Sequence, residues 1–135
     1  NKNIAFVSNK TYDLLRSSTA ALVTSGTATL ETALFKVPEV VCYKGSEVSY
    51  QIAKRIITLK YISLVNLIMD QEVVTELIQA DCNKKRIKEE LQKLLEPDHR
   101  NKVLQNYDIL EQKLGGVGAS KNTAKLIVAD LKQNN

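Results

Sequence analysis

Short apolar runs that alternate with helix-like stretches constrain the fold of this chain more than any other feature. Three runs have the character of buried strands, IAFV (4–7), AALVT (20–24) and EVVCY (39–43), and YISL (61–64) is a weaker fourth. Strands that alternate with helices are typical of βαβ units and a parallel sheet. Because the runs are apolar at nearly every position, we expect the sheet to be covered on both faces. The sequence therefore predicts an α/β fold with a Rossmann-like parallel sheet.

Helices are predicted between these strands because apolar residues recur there at helical spacing. Their ranges are 11–18, 26–36 and 47–59. Thr11 and Ser46 are candidate N-caps of the first and third helices, since a hydroxyl oxygen can accept a hydrogen bond from the first helical turn. In the second helix, the expected core face consists of Leu30, Ala33 and Leu34.

Beyond residue 70 the sequence predicts only helices, over 72–80, 84–95, 97–114 and 119–132. Pro97 fits the first position of its helix. We expect residues 1–95 to form the sheet-bearing portion and residues 96–135 a helical tail that packs on it or crosses to another lobe or a partner. An isolated tail would expose an apolar stripe and favour a homo-oligomer. The stripe consists of Val103, Tyr107, Leu110, Ile127 and Leu131.

The composition excludes several classes of protein. The chain has 135 residues, 44% of them hydrophobic and 25% charged, which is typical of one globular domain. With two cysteines, Cys42 and Cys82, and one histidine, His99, we expect no metal, no cofactor and no histidine-assisted nucleophile, and a reducing, cytoplasmic setting. The net charge of +4 suits a phosphate-bearing ligand or an anionic membrane surface. Aromatic and basic residues do not interleave, so no nucleic-acid partner is expected.

The segment TSGTATLETA (24–33) carries the strongest functional pattern. It follows a predicted strand and opens a helix, and ligands of parallel sheets bind at the carboxyl ends of strands. The free N–H groups and partial positive charge of a helix N-terminus favour phosphate. Gly26 would let the backbone approach the ligand. The segment therefore predicts a phosphate site.

Hydroxyl and carboxyl groups in the same segment extend this prediction. Ser25, Thr27 and Thr29 can add hydroxyl donors, and Glu31 can accept hydrogen bonds from a sugar, as the acidic residue of dinucleotide-binding folds does for ribose. A purely structural interpretation stays open at this point. In that interpretation Ser25 caps the helix, the threonines have no special role, and Glu31 is a solvated acid.

The order of several motifs resembles the lipid-A-disaccharide synthase family, UDP-sugar glycosyltransferases with the two-lobed GT-B fold. SGTATLE (25–31) is followed by the strand motif VP…VVCYK, then by AKR (53–55), YISLVNLI (61–68) and ELIQADC (76–82). The resemblance covers residues 11–82 in sequence and the remainder only in layout. Val65 departs from the pattern, since the family usually has proline there. The chain begins without Met and resembles only the carboxy-terminal portion of the enzyme, so we expect it to be part of a longer protein.

The resemblance implies a function for the segment. The diphosphate of a UDP-diacylglucosamine donor would bind at Ser25, Gly26, Thr27, Ala28 and Thr29. Glu31 would bind the ribose, and Asn66 would line the donor pocket. The acceptor would be an acylated glucosamine 1-phosphate, and the catalytic base would belong to the amino-terminal lobe, so no catalytic residue is expected in this chain.

Two other classes of function stay open. One is another UDP-sugar enzyme of the same fold, such as a peptidoglycan glucosaminyltransferase or an epimerase, and the other is a non-enzymatic α/β module that binds a phosphorylated ligand. Because the family's substrates are lipids, the resemblance also implies a cytoplasmic protein that is peripheral on the inner membrane. The basic helix start NKKR (83–86) could contact anionic lipid there, or could be an ordinary solvated helix end.

Overall fold

The sheet is parallel, as predicted. A computed structural model describes residues 3–46, 60–115 and 118–133. Within these residues, Ala21–Thr24 (β1), Glu39–Tyr43 (β2) and Thr75–Ile78 (β3) form a three-stranded parallel sheet in the order β1-β2-β3. Val23, Val41 and Glu76 lie side by side across it. The α/β, Rossmann-like class and the helical tail are confirmed.

Helices cover both faces of the sheet and continue beyond it. Along the described residues they are Thr11–Ser17 (α1), Thr27–Leu34 (α2), Leu64–Met69 (α3), Lys84–Leu95 (α4), Pro97–Lys113 (α5) and Ala119–Gln133 (α6), with a short 3₁₀ turn at Gln79–Asp81. A search of the described helices finds none with the length and apolar character that crossing a membrane requires.

The two faces of β3 contact different helices. Glu76 is hydrogen-bonded to Asn66 of α3, whereas its neighbour Thr75 is hydrogen-bonded to Glu90 of α4. Since neighbouring residues of a strand point to opposite faces, α3 and α4 lie on opposite sides of the sheet. Val40 and Val41 of the central strand are completely buried between these layers. The apolar character of EVVCY thus follows from coverage on both sides.

The first helix of the tail completes the core. Val103, Tyr107 and Leu110 of α5 are buried, so the expectation that they lack cover is wrong. Contacts with α2, α3 and α4 provide that cover. Ile127 and Leu131 of α6 are exposed, as expected.

Two predicted strands are wrong. Residues 4–7 form no strand and are exposed, and Phe6 has 99% of its surface accessible. A strand needs a neighbouring strand to pair its backbone groups, and residues 4–7 pair with none in the described sheet. Residues 61–63 are irregular and Leu64 begins α3, because the backbone N–H groups of Ile62 and Ser63 donate to the Glu76 carboxylate instead of a neighbouring strand.

The helix predicted over residues 72–80 is also wrong, since it contains β3 and the 3₁₀ turn. The spacing of Val73, Val74 and Leu77 fits a helix, but Leu77 is buried opposite Cys42 of β2. Tertiary pairing therefore overrides the local pattern.

The remaining helix predictions hold with shifted ends or differ in detail. Lys10, not Thr11, occupies the N-cap position of α1, and Leu34 of α2 is exposed instead of facing the core. The helix predicted over residues 47–59 lies outside the described residues.

Candidate functional site

The loop between β1 and α2 lies at the carboxyl edge of the sheet, as the sequence predicts. Ser25 and Gly26 connect Thr24, the last residue of β1, to Thr27, the first residue of α2. Gly26, Thr27 and Ala28 are exposed. The first N–H groups of a helix have no acceptor within it and carry partial positive charge. These three residues therefore present donors to an anionic ligand at the sheet edge.

Gly26 is required by its backbone conformation. Its φ angle of 139° is one that residues with a side chain rarely adopt, and a Cβ built there meets no atom within 4 Å. The space beside the glycine is therefore open, and a ligand can approach the backbone closely.

Two of the predicted hydroxyl donors are engaged within the protein. The Ser25 hydroxyl donates to the carbonyl oxygen of Ile62 at 3.1 Å. The Thr29 hydroxyl is buried and donates to the carbonyl oxygen of Gly26 at 2.8 Å. Both bonds fix the shape of the loop, so in this structure its outward donors are the backbone N–H groups and the exposed Thr27.

Glu31 lies one turn further into α2 and is half-buried. Together with residues 9–13, it lines an open cavity of about 500 Å³. The segment 9–13 is held against α2 through Tyr12, whose ring stacks on Phe35 with 5.0 Å between centroids. The sequence singled out Glu31 but missed the segment opposite it, because nothing in an exposed polar loop marks it as part of a cavity.

Asn66 is buried and all its side-chain hydrogen-bonding capacity is used inside the fold. Its Nδ2 donates to the carbonyl oxygen of Val74 at 2.8 Å and to the Glu76 carboxylate at 2.9 Å. Its Oδ1 accepts from the N–H groups of Val73 and Val74 at 2.7 and 3.0 Å. The structure thus gives Asn66 a role in holding α3 to the start of β3, and its contact with a donor sugar stays a prediction.

Glu76, which the sequence motifs do not single out, joins the same network. Its carboxylate accepts from the N–H groups of Ile62 and Ser63, each at 2.9 Å, in addition to Asn66. The available signal is an acidic residue in the largely apolar stretch VVTELI (73–78). The network links Asn66 to the loop that contains Ser25, because the carbonyl oxygen of Ile62 accepts a hydrogen bond from the Ser25 hydroxyl.

A buried carboxyl group lies at the opposite, amino-terminal end of the strands. Glu39 is the first residue of β2 and is completely buried, and neither of its carboxyl oxygens has a hydrogen-bond partner among the described residues. Burial raises the pKa of Glu39 to about 9. Burial also raises the pKa of Tyr107, and the nearby charge of Glu39 raises it further. Since strands β1 to β3 are parallel, this pair is at the far end of the sheet from the Ser25 loop.

The matching family model and three similar curated proteins carry closely similar descriptions. The model of a family described as lipid-A-disaccharide synthetase matches residues 1–128. The lipid-A-disaccharide synthase of Syntrophus aciditrophicus (strain SB) is 38% identical over 132 residues, which are 97% of this chain and 34% of that protein. The corresponding enzyme of Psychromonas ingrahamii is 43% identical over 115 residues, 85% of this chain and 30% of that protein. The lipid-A-disaccharide synthase of Geobacter sulfurreducens is 34% identical over 127 residues, which are 93% of this chain and 33% of that protein.

The chain spans about a third of the length of the curated relatives it matches. The family match extends beyond residues 11–82, where the sequence motifs lie, through α4 and α5 and into α6. The helical tail thus belongs to the family's pattern as well as the sheet. On this match the chain is a member of the lipid-A-disaccharide synthase family.

Proposed function

We propose that this chain is the nucleotide-sugar-binding, carboxy-terminal part of a lipid-A-disaccharide synthase. The observation that carries the proposal is the position of Gly26. Gly26 lies at the carboxyl edge of a parallel sheet and at the exposed start of α2. Glu31, which lines the cavity, belongs to the same helix. Phosphate and an adjoining sugar are the ligands that such an arrangement favours.

The diphosphate of the UDP-sugar binds at the start of α2. The N–H groups of Gly26, Thr27 and Ala28 and the Thr27 hydroxyl donate to its oxygens, while Ser25 and Thr29 hold the loop in shape from inside. A leaving diphosphate gains negative charge during transfer, and a fixed helix N-terminus stabilises that charge without reorganising.

The nucleoside occupies the cavity next to Glu31. The carboxylate of Glu31 accepts hydrogen bonds from the ribose hydroxyls, and residues 9–13 form the opposite wall. Asn66 shapes the donor pocket by fixing α3 and the segment before it.

The complete enzyme transfers a 2,3-diacylglucosamine unit from UDP to an acylated glucosamine 1-phosphate during lipid A biosynthesis, with inversion at the anomeric carbon. Residues outside this chain supply the catalytic base, so the 135-residue chain binds nucleotide and turns over no substrate. The enzyme is cytoplasmic and peripheral on the inner membrane, with exposed basic residues such as Lys84 and Lys85 facing anionic lipid. The match over residues 1–128 favours this function over another UDP-sugar enzyme or a non-enzymatic module.

The test is turnover by the intact synthase that contains this chain, with the donor and acceptor above. We expect Gly26→Ala to lower kcat/KM at least about tenfold, which corresponds to about 1.4 kcal/mol of transition-state stabilisation. Gly115→Ala is the matched control, because Gly115 also has a positive φ (87°) and open space around it but follows α5. Equal losses in both variants, or no UDP release by the wild-type enzyme, would contradict the proposal.

A further inference from the structure

Three hydrogen bonds converge on the carboxylate of Glu76. This side chain lies outside residues 25–28 at the start of α2, which we call the phosphate loop. Oε2 accepts from the N–H of Ile62, and Oε1 accepts from the N–H of Ser63 and from Nδ2 of Asn66, all at 2.9 Å. Hydrogen bonds to a charged acceptor are stronger than those between neutral groups. Glu76 therefore anchors residues 62–66 to β3.

The anchored segment is rigid because its other polar groups are also paired. The Ser63 hydroxyl caps α3 by accepting from the N–H of Asn66 at 3.2 Å, and both side chains are completely buried. Asn66 in turn bonds to the backbone of Val73 and Val74. Buried networks in which every member is paired specify one geometry, since any displacement leaves a polar group without a partner.

One peptide group connects this network to the phosphate loop. The peptide between Ile62 and Ser63 donates its N–H to Glu76, and its carbonyl oxygen accepts the Ser25 hydroxyl at 3.1 Å. A peptide group is planar and trans, so its N–H and C=O point in opposite directions and cannot rotate independently. Fixing the N–H on Glu76 thereby fixes the acceptor that Ser25 must reach.

We infer that Glu76 is a positioning residue of the diphosphate site, acting through the Ile62–Ser63 peptide on Ser25. This inference rests on the proposed function, because it assigns a role toward the same ligand. Ser25, whose proton is committed to Ile62, then serves as the inner anchor of the loop, and the N–H groups of residues 26–28 contact the phosphates. Because Glu76 sets the loop and not the ribose pocket, it affects UDP and free pyrophosphate alike.

A double-mutant cycle in the intact synthase tests this coupling. Calorimetric titrations with UDP and with pyrophosphate are compared for wild type, Glu76→Gln, Ser25→Ala and the double variant. We expect Glu76→Gln to weaken both ligands by about tenfold, the effect of losing one hydrogen bond to a charged group. In the Ser25→Ala background the same substitution should cost less than about twofold, because the connection is already broken. Glu72→Gln, an exposed acid nearby, is the control and should change neither affinity.

Losses that add fully, or a loss for UDP without one for pyrophosphate, would overturn the inference. Amide hydrogen exchange provides a readout that needs no ligand. Glu76→Gln should accelerate exchange at Ile62 and Ser63 and also at residues 26–28, and the milder Ser25→Ala should accelerate exchange at Ser63. Acceleration confined to residues 62–66 would refute the coupling. If wild-type protein binds neither ligand, the proposed function fails, while the exchange data still decide whether Glu76 positions the loop.

Discussion

Glu39 and Tyr107 form a buried polar pair in the core, away from the candidate site. No hydrogen bond within the described residues compensates for burial of the Glu39 carboxyl group. A buried carboxyl group without a partner favours its neutral form, which is why the pKa of Glu39 rises from 4.5 to about 9. The fold therefore contains an acid that is neutral at pH 7 and costs free energy when it ionises.

This gives the protein a pH dependence on the alkaline side. Since the folded pKa lies above the unfolded value, the contribution of Glu39 is fully present below pH 4.5 and is lost progressively as pH rises to about 9. Glu39→Gln keeps the size and removes the titration. We expect the free energy of unfolding of wild type to fall relative to the variant by up to about 1.4 kcal/mol per pH unit between these limits. Urea unfolding at pH 5 to 8 measures it, and parallel pH profiles would contradict it.

At the residue scale, the sequence predicted where Gly26 and Glu31 lie in the fold, but not which residues hydrogen-bond to one another. The positive φ at Gly26 and the position of Glu31 on α2 follow from local pattern, strand then glycine then helix. The partners of Asn66 and Glu76 depend on how residues 62–66 meet β3, which no local pattern encodes. A donor-pocket role for Asn66 could be suggested only by resemblance.

Among the elements, the attachment of α4 to the sheet depends on Glu90. Its carboxylate accepts from the Thr75 hydroxyl on β3 at 3.3 Å and pairs with Lys93 at 2.9 Å and Arg86 at 3.3 Å. Burial alone would raise its pKa, but Lys93, Arg86 and Thr75 hold the pKa of Glu90 below its ordinary value. Removing one member of a buried group of paired charges destabilises a protein, because the remaining charge is left without a partner.

Glu90 therefore has the opposite pH dependence to Glu39. Its folded pKa is depressed, so its contribution is present above the ordinary value of 4.5 and is lost as pH falls toward the depressed one. We expect Glu90→Gln to destabilise the protein at pH 7 and to do so less at pH 3. Glu89→Gln is the control, because Glu89 is more exposed and its contact with Arg86 is 3.8 Å. Thermal melts at both pH values measure this loss of stability. An equal loss at pH 7 and pH 3 would contradict the role given to the Glu90 charge.

At the element scale, local patterns predicted helices better than strands. Residues 84–95 and 97–113 have both periodicity and recognisable ends, with Asn83 capping α4 and Pro97 opening α5. The spacing of Val73, Val74 and Leu77 suits a helix as well as a strand, so the local pattern predicts a helix where β3 (Thr75–Ile78) lies. Residues 4–7 have strand composition but pair with no strand of the described sheet, and β1 is an edge strand of that sheet.

At the scale of the whole molecule, α6 presents one exposed apolar surface among the described residues. Leu126, Ile127, Val128 and Leu131 are all at least half exposed. Apolar surface of this kind tends to be covered by another lobe or another copy. The sequence predicts an exposed apolar stripe along the whole helical tail. In the structure only its α6 part is exposed, because Val103, Tyr107 and Leu110 of α5 are buried.

We therefore expect the isolated 135-residue chain to self-associate through α6. Sedimentation velocity over a wide range of concentrations should show dimers or larger species for wild type. Replacing Ile127 and Leu131 together by lysine should yield a monomer, while Asp130→Lys, which changes charge on the same helix, should still associate. Wild-type chain that remains monomeric at every concentration would count against this surface.

In the proposed function, the diphosphate and the ribose of one nucleotide bind at separate parts of α2. Calorimetric titration of UDP and of pyrophosphate into the intact synthase tests it most directly. Glu31→Gln should weaken UDP by about tenfold, since a hydrogen bond to an ionised acceptor contributes about 1.5–3 kcal/mol, and should leave pyrophosphate unchanged. Gly26→Ala should weaken both ligands, and Gly115→Ala neither. Equal losses for both ligands in Glu31→Gln would contradict the ribose assignment, and unchanged affinities in Gly26→Ala would contradict the site itself.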